Sequence, residues 1–199
     1  MNQKNDTKLK RYMSQNYNYI FDTETGFFAR WGSTLKDDPD YAPFPEILDI
    51  EITTKCMGPG EKLCPFCYKG NTPNGTNMSF DTFKQILDRM PSILQIAFGA
   101  DAQCKSNPDI WKMMEYCRSK NVVPNITIAD IDDETADNLL KYVGACAVSR
   151  YSNKDICYDS IKKLTDRGLK QTNMHFMISK ETYNQAIETI HDCVNDPRL

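Results

Sequence analysis

Three cysteines fall within one short stretch, Glu51-Ile52-Thr53-Thr54-Lys55-Cys56-Met57-Gly58-Pro59-Gly60-Glu61-Lys62-Leu63-Cys64-Pro65-Phe66-Cys67-Tyr68. Soft thiolates select zinc or iron–sulfur clusters. Cys64 and Cys67, separated by Pro65-Phe66, can turn two sulfurs toward one metal site, and Cys56 closes the loop through Gly58-Pro59-Gly60. Structural zinc takes four ligands, and no fourth lies nearby in the chain. A cubane cluster held by Cys56, Cys64 and Cys67 keeps one iron open to a substrate or cofactor. That is the favoured chemistry. Zinc completed by a distant Cys104 or His175, or three unligated thiols, are the alternatives. Of the eight cysteines in the chain, Cys117, Cys146, Cys157 and Cys193 are scattered and read as buried small hydrophobes. Cys104 is open between a reactive and a packing role. The cysteine count therefore supports one cluster and no second.

The elements that must hold this loop are short strands alternating with helices. Strands are expected over 47–53, 93–98, 122–128, 144–149 and 172–178, each rich in Ile, Val, Phe or Thr. Helices are expected to start at Ser79, at Asn107-Pro108, at Asp132, at Asn153 and at Ser179, with Gly168 ending the fourth. The last of these should bury Tyr183, Ile187, Ile190 and Val194. Five βα units imply an α/β fold with a parallel sheet, open or curled into a barrel. The cysteine loop follows the first strand, and ligands in α/β folds collect at the carboxyl ends of strands. No glycine-rich dinucleotide fingerprint follows any strand. The fifth strand leaves an edge to be covered, by a partner, by the N-terminal element, or by further chain.

Strand parity adds a second signal, because alternate residues face opposite sides of a sheet. One set is apolar and should meet the helices: Ile50, Ile96, Phe98, Ile126 and Met174 are examples. The other set is polar or small: Asp49, Glu51, Ala97, Asn125, Thr127, Ala147, Ser149 and His175 among them. A packed barrel interior wants bulky branched residues, and a doubly wound sheet is apolar on both faces. This pattern instead predicts helices outside and a wet, roomy concave face. His175 should line that space without acting as a base. Asp49 is expected to pair with a cation near its floor.

The N-terminal part divides again. Residues 1–11 read as a basic tail. Tyr17–Phe21 and Phe27–Trp31 flank a turn ending in Gly26, a β-hairpin signal, and Asp37 to Pro45 read as a linker. Residues 1–46 thus form an appended unit serving as a cover, and 47–199 the α/β domain. A net charge of −3 with pI about 5.4 offers no nucleic-acid footprint and no pull toward anionic lipid. With no secretory signal at the N-terminus and no apolar run of about 20 residues, the cytoplasm is the expected compartment and no membrane partner is expected.

Strand, cysteine loop, Cys64-x-Phe66-Cys67 and then βα repeats resemble the radical S-adenosylmethionine superfamily over residues 47–199. The resemblance implies a partial βα barrel, a 4Fe-4S cluster on Cys56, Cys64 and Cys67, and S-adenosylmethionine chelated at the open iron. An electron from an external flavodoxin- or ferredoxin-like donor would then yield a 5′-deoxyadenosyl radical for hydrogen abstraction. It further implies cofactor contacts from Phe66, near the adenine, and Tyr68. Phe98-Gly99-Ala100-Asp101 stands where the family has a Gly-Gly-Glu stretch. Ser149 and Arg150 end the fourth strand, where polar residues meet ribose or carboxylate, and Ile178 matches an adenine contact. Two departures stand out: the spacing is C-x7-C-x2-C in place of C-x3-C-x2-C, and Ala100 and Asp101 replace Gly and Glu. The substrate is unspecified, with peptide or protein modification or enzyme activation as subclasses. The alternative is a non-catalytic domain stapled by zinc or a structural cluster.

Overall fold

The computed structural model describes residues 8–151 and 153–199. Three strands near the N-terminus form an antiparallel sheet in the order β1-β2-β3: β1 (Leu9–Tyr12), β2 (Asn18–Asp22) and β3 (Phe28–Trp31). The expected hairpin is β2–β3, with Phe21 opposite Phe28. Its turn is set by Asp22, whose carboxylate accepts from the amides of Glu24 and Thr25, and by Gly26 at φ +79°.

The tail expected over 1–11 differs. Residues 1–7 lie outside the described residues, but Leu9–Tyr12 pairs with β2 along its length. Lys and Arg are common on edge strands, where they block further pairing, so a charged edge strand reads like a tail. Lys10 also donates to the carbonyl of Asn121 at 2.8 Å.

The remaining strands are all parallel, in the order β4-β5-β6-β7-β8: β4 (Ile47–Glu51), β5 (Gln95–Gly99), β6 (Val123–Ile128), β7 (Ala145–Arg150) and β8 (Thr172–Phe176). Between and after them run α1 (Phe80–Asp88), α2 (Ile110–Ser119), α3 (Asp133–Tyr142), α4 (Lys154–Asp166) and α5 (Tyr183–Asn195). The chain is therefore α/β, with β4 and β8 at the two ends of the sheet.

Three of the expected helix starts are capped as the sequence implies. Ser79, Asp132 and Asn153 accept from the amides of Thr82, Thr135 and Asp155. Gly168, at φ +86°, ends α4, and Leu169 N–H returns to the carbonyl of Leu164 at 3.1 Å. Two starts shift. Asn107 sends its amide to the carbonyls of Ile52 and Met78, at 2.7 and 3.0 Å, and its side-chain oxygen accepts from Asp109 N–H at 2.9 Å; α2 begins at Ile110. Ser179 bonds within its own turn, to Thr182, and α5 begins at Tyr183.

One face of the parallel sheet carries the core. Ile50, Ile96, Phe98, Ile126 and Val148 pack on Phe83, Met114, Leu139 and Ile161 from the helices. Phe83 and Phe98 stack at 5.5 Å. Each such fully buried side chain contributes about 1.5–3 kcal/mol. A second cluster joins Tyr17, Tyr19 and Phe21 to Leu94 and Val123, at the amino ends of β5 and β6. Arg118 donates to the carbonyl of Thr23 at 2.7 Å, and Tyr17 bonds Glu46, whose carboxyl burial pushes up. The small sheet is thus a cover, on the amino ends of the strands. It does not pair with β8, so it leaves that edge as it was.

α5 corrects another expectation. It buries Ala186 and Thr189, while Tyr183, Ile187, Ile190 and Val194 are all exposed. Its attachment is polar: Lys154 of α4 bonds Glu188 and Asp192 at 2.5 and 2.9 Å, and Tyr158 bonds Asp192 at 2.9 Å. Among the described residues no helix is long and apolar enough to cross a membrane.

Candidate functional site

The cysteine loop leaves β4 at its carboxyl end and is pinned there by a returning segment. Cys56 N–H bonds the carbonyl of Thr72 at 3.0 Å, Thr54 N–H that of Thr76 at 2.9 Å, and Met78 N–H that of Ile52 at 2.9 Å. Gly75 permits this approach, since a Cβ there would meet the Thr54 backbone at 2.3 Å. Gly58 is equally constrained: at φ +78° its Cβ would lie 1.9 Å from the Lys62 carbonyl oxygen. The Gly-Pro-Gly segment forms a 3-10 turn over Pro59–Glu61. Neighbouring strand ends hold it, through Gln103 to the Gly58 carbonyl at 2.6 Å and Gly60 N–H to Asp130 at 3.1 Å.

Within this loop Cys56 Sγ accepts from Gly58 N–H at 3.2 Å. Cys67 N–H bonds the Cys64 carbonyl at 3.1 Å, and Gly70 N–H that of Cys67 at 3.1 Å. All three loop cysteines are free and half-buried. Burial pushes the Cys64 thiol up, its neighbours Cys56 and Cys67 add to this, and a hydrogen bond from Tyr151 opposes it. The rings of Tyr151 and Phe66 stand 5.5 Å apart beside it.

Cys56, Cys64 and Cys67 line one cavity of about 600 Å³, within the usual range for small-molecule sites. Its other walls are the polar and small residues expected from strand parity. Asp49 of β4, Ala97 of β5, Asn125 and Thr127 of β6, Ala147 and Ser149 of β7, and Asn173 and His175 of β8 all line it. A bonded pair closes its lower end: Asn125 donates to Gln95 at 2.7 Å and accepts from Ala145 N–H at 3.0 Å. Among the described residues, however, no group of three or more His, Cys, Asp or Glu side chains is gathered to hold a metal ion. The three thiols share a cavity without converging on a point.

The remaining expected contacts separate. Phe66, Tyr68, Gly99, Ala100 and Ser149 line the cavity with the cysteines. Tyr68 is a rim residue, 92% exposed. Phe98 also borders it, but its ring belongs to the core against Phe83. Asp101 is buried, and its carboxylate accepts from the amides of Gln103, Lys105 and Ser106. It organises its own loop instead of offering a free acceptor. Ile178 lies beyond the end of β8, exposed, and lines neither this cavity nor its neighbour.

Arg150 stands apart from the cysteine cavity. It follows Ser149 in the same strand, so its side chain goes to the opposite face. Ser149 lines the cysteine cavity; Arg150 does not. It is buried beside Phe176, its guanidinium 5.6 Å from that ring. Asp49, expected to be paired, has no ion pair among the described residues. Glu51 has one instead, with Lys69 at 3.3 Å.

Lys69 is the residue that sequence reasoning misses. No spacing marks it, yet its amine lies over Gly99 and it lines the cavity two residues after Cys67. Cys104, at φ +62°, is buried, its thiol pushed up by burial, by Asp101 and by Cys146. That placement gives it the packing role. Cys117, Cys146 and Cys157 are buried as expected and pushed up to about 12 by that burial. Cys193 is only half-buried.

No protein-family model matches this sequence, and no curated protein matches it either.

Proposed function

We propose that the chain is an enzyme of the radical S-adenosylmethionine type, folded as a partial βα barrel. Cys56, Cys64 and Cys67 would hold a 4Fe-4S cluster, and S-adenosylmethionine would occupy the adjoining cavity. One observation carries the reading: three half-buried thiols on a glycine-built loop face a polar cavity at the carboxyl ends of the parallel strands. Donor chemistry supports the group, since three thiolates with no fourth ligand suit a cluster with one open iron. The thiols need not converge beforehand, because metal sites commonly assemble as the ligands close on the metal.

When bound, such a cluster supplies the electron for reductive cleavage of S-adenosylmethionine. The chain's own residues have narrower tasks. Gly58 N–H donates to Cys56 Sγ and orients it. The Tyr151 hydroxyl does the same for Cys64. Lys69 and Glu51 place one cation and one anion beside Gly99, suited to the carboxylate and amine of an amino acid moiety. Phe66 and Tyr151 offer ring faces at the cavity wall. An external flavodoxin- or ferredoxin-like protein would deliver the electron.

The test is anaerobic reconstitution followed by assay for 5′-deoxyadenosine with dithionite as reductant. The proposal expects about four irons per chain and slow cofactor cleavage without any substrate. A colourless protein holding zinc in place of iron would reverse it.

A further inference from the structure

A second cavity, of about 710 Å³, adjoins the first across the loop. It lies between Gly60–Phe66, the start of α4 at Asn153 and Ile156, and the segment Phe176 to Gln185. Cys64, Phe66, Ser149 and Tyr151 line both cavities. The Phe66–Tyr151 ring pair therefore stands between them.

The charge of this second cavity is one-sided. Among the described residues its lining includes Lys62 and Arg150, and no aspartate or glutamate. The first cavity holds Asp49 and Asp101 alongside Lys69. Arg150 is also a buried cation with unmet donors. It is 4% exposed, and neither Nε nor Nη1 has a hydrogen-bond partner. A hydrogen bond with the Tyr158 hydroxyl, the attraction of Asp192 and the ring of Phe176 compensate its charge in part, but a buried cation is costly unless its donors are fully met. The closest carboxylate influence, Asp192, is already bonded to Lys154 and Tyr158. The 13-residue helix α4 also begins on this cavity, adding the positive end of its dipole.

We infer that this second cavity binds an oxyanion, a carboxylate or phosphate group of the substrate, with Arg150 as its buried anchor and Lys62 at its mouth. A bound oxyanion would give the two unmet Arg150 donors an acceptor, and no carboxylate of the described lining would face it. The substrate would then reach toward the Phe66–Tyr151 pair and the cysteine cavity behind it. That the anion belongs to a substrate rests on the function proposed above; that the cavity takes an oxyanion does not.

The experiment titrates the full chain with inorganic phosphate and, separately, with 13C-labelled acetate, following 31P and 13C line broadening. It is run on protein as isolated and after anaerobic reconstitution. Saturable broadening of either anion is expected in both states, and which one binds tells a phosphorylated substrate from a carboxylate. Arg150→Gln should weaken it by at least about tenfold. Lys62→Gln, on the exposed loop, should weaken it less and serves if Arg150→Gln fails to fold, as judged by circular dichroism. Absence of saturable binding to the folded wild type, or unchanged binding in folded Arg150→Gln, would overturn the site. Competition by S-adenosylmethionine would move Arg150 to the cofactor and overturn the second ligand. Oxyanion binding by a protein that takes up no iron would keep this site while removing the function above.

Discussion

The amine of Lys69 occupies the space that a side chain on Gly99 would fill: a Cβ at residue 99 would lie 2.7 Å from Lys69 Nζ. The same amine is 3.3 Å from Glu51. A glycine at the end of β5 therefore lets the Lys69 amine of this ion pair sit against the strand at the cysteine cavity, which Lys69 lines.

Gly99→Ala should displace that amine, the far end of a flexible chain, and press less severely on Glu51 Cα and the Ile50 carbonyl, at 3.1 and 3.3 Å. The expected stability cost is about 1–2 kcal/mol, read from urea melts. Iron uptake should be unchanged, because no cysteine moves. Cofactor affinity should fall by about tenfold or more. Equal cofactor affinity in wild type and variant would mean that the pair is not part of the site.

Native alkylation sorts the cysteines by burial. Iodoacetamide at pH 8 should label Cys56, Cys64, Cys67 and Cys193, the half-buried thiols. Cys117, Cys146 and Cys157, pushed up to about 12, and the deeply buried Cys104 should label only after unfolding. Cluster assembly should then protect Cys56, Cys64 and Cys67 and leave Cys193 open. Peptide mass spectrometry reads both results, and labelling of Cys64 that persists in iron-loaded protein would contradict its role as a ligand.

Substitution separates the same residues by function. Cys56→Ala, Cys64→Ala or Cys67→Ala should each abolish the iron signal while leaving the melt close to wild type. Cys146→Ala should keep the iron and lose about 1–2 kcal/mol, as removal of a fully buried group does. Normal cluster content in Cys56→Ala would mean that the long first gap hides a different ligand.

Asp132 couples stability to acid. A hydrogen bond from Lys105 first, then those from Thr135, hold its carboxyl below the usual carboxylate range. A carboxyl depressed in the folded chain stabilises fully above its unfolded pKa of about 3.9 and loses that contribution as pH falls toward its folded value. At pH 7, Asp132→Ala should cost about 1 kcal/mol as a lost N-cap, and Asp132→Asn less. The deficit of the alanine variant should shrink as the pH of the melts is taken below about 4. A deficit independent of pH would show that the charge contributes nothing.

Much of this architecture is legible in the sequence because its signals are periodic. The two-residue period along β4 to β8 separates the Ile50 face from the Asp49 face, and the cavity lies on the polar one. Ser79, Asp132 and Asn153 are local capping signals, satisfied within three residues. The losses occur where partners are distant. Asn107 carries a second task that its position does not announce: its side-chain oxygen accepts from Asp109 N–H, while its amide reaches carbonyls at Ile52 and Met78, far off in the chain. The apolar pattern of α5 sets a direction without saying what lies there, and Ile187 and Ile190 face outward. Ser149 and Arg150 part at the cysteine cavity, because adjacent strand residues point apart, and share only the lining of the second cavity. Lys69 carries no signal at all, since a lone lysine after a cysteine loop is marked only by where Gly99 lies.

The central claim is an open iron beside a cofactor cavity, and electron paramagnetic resonance tests it most directly. Protein reconstituted anaerobically and reduced with dithionite should show a 4Fe-4S signal, lost in Cys64→Ala. Adding S-adenosylmethionine should shift that signal, because the cofactor would bind the cluster itself. A cluster signal indifferent to S-adenosylmethionine would contradict the account, leaving a structural cluster; no cluster signal at all would contradict it at the level of the metal.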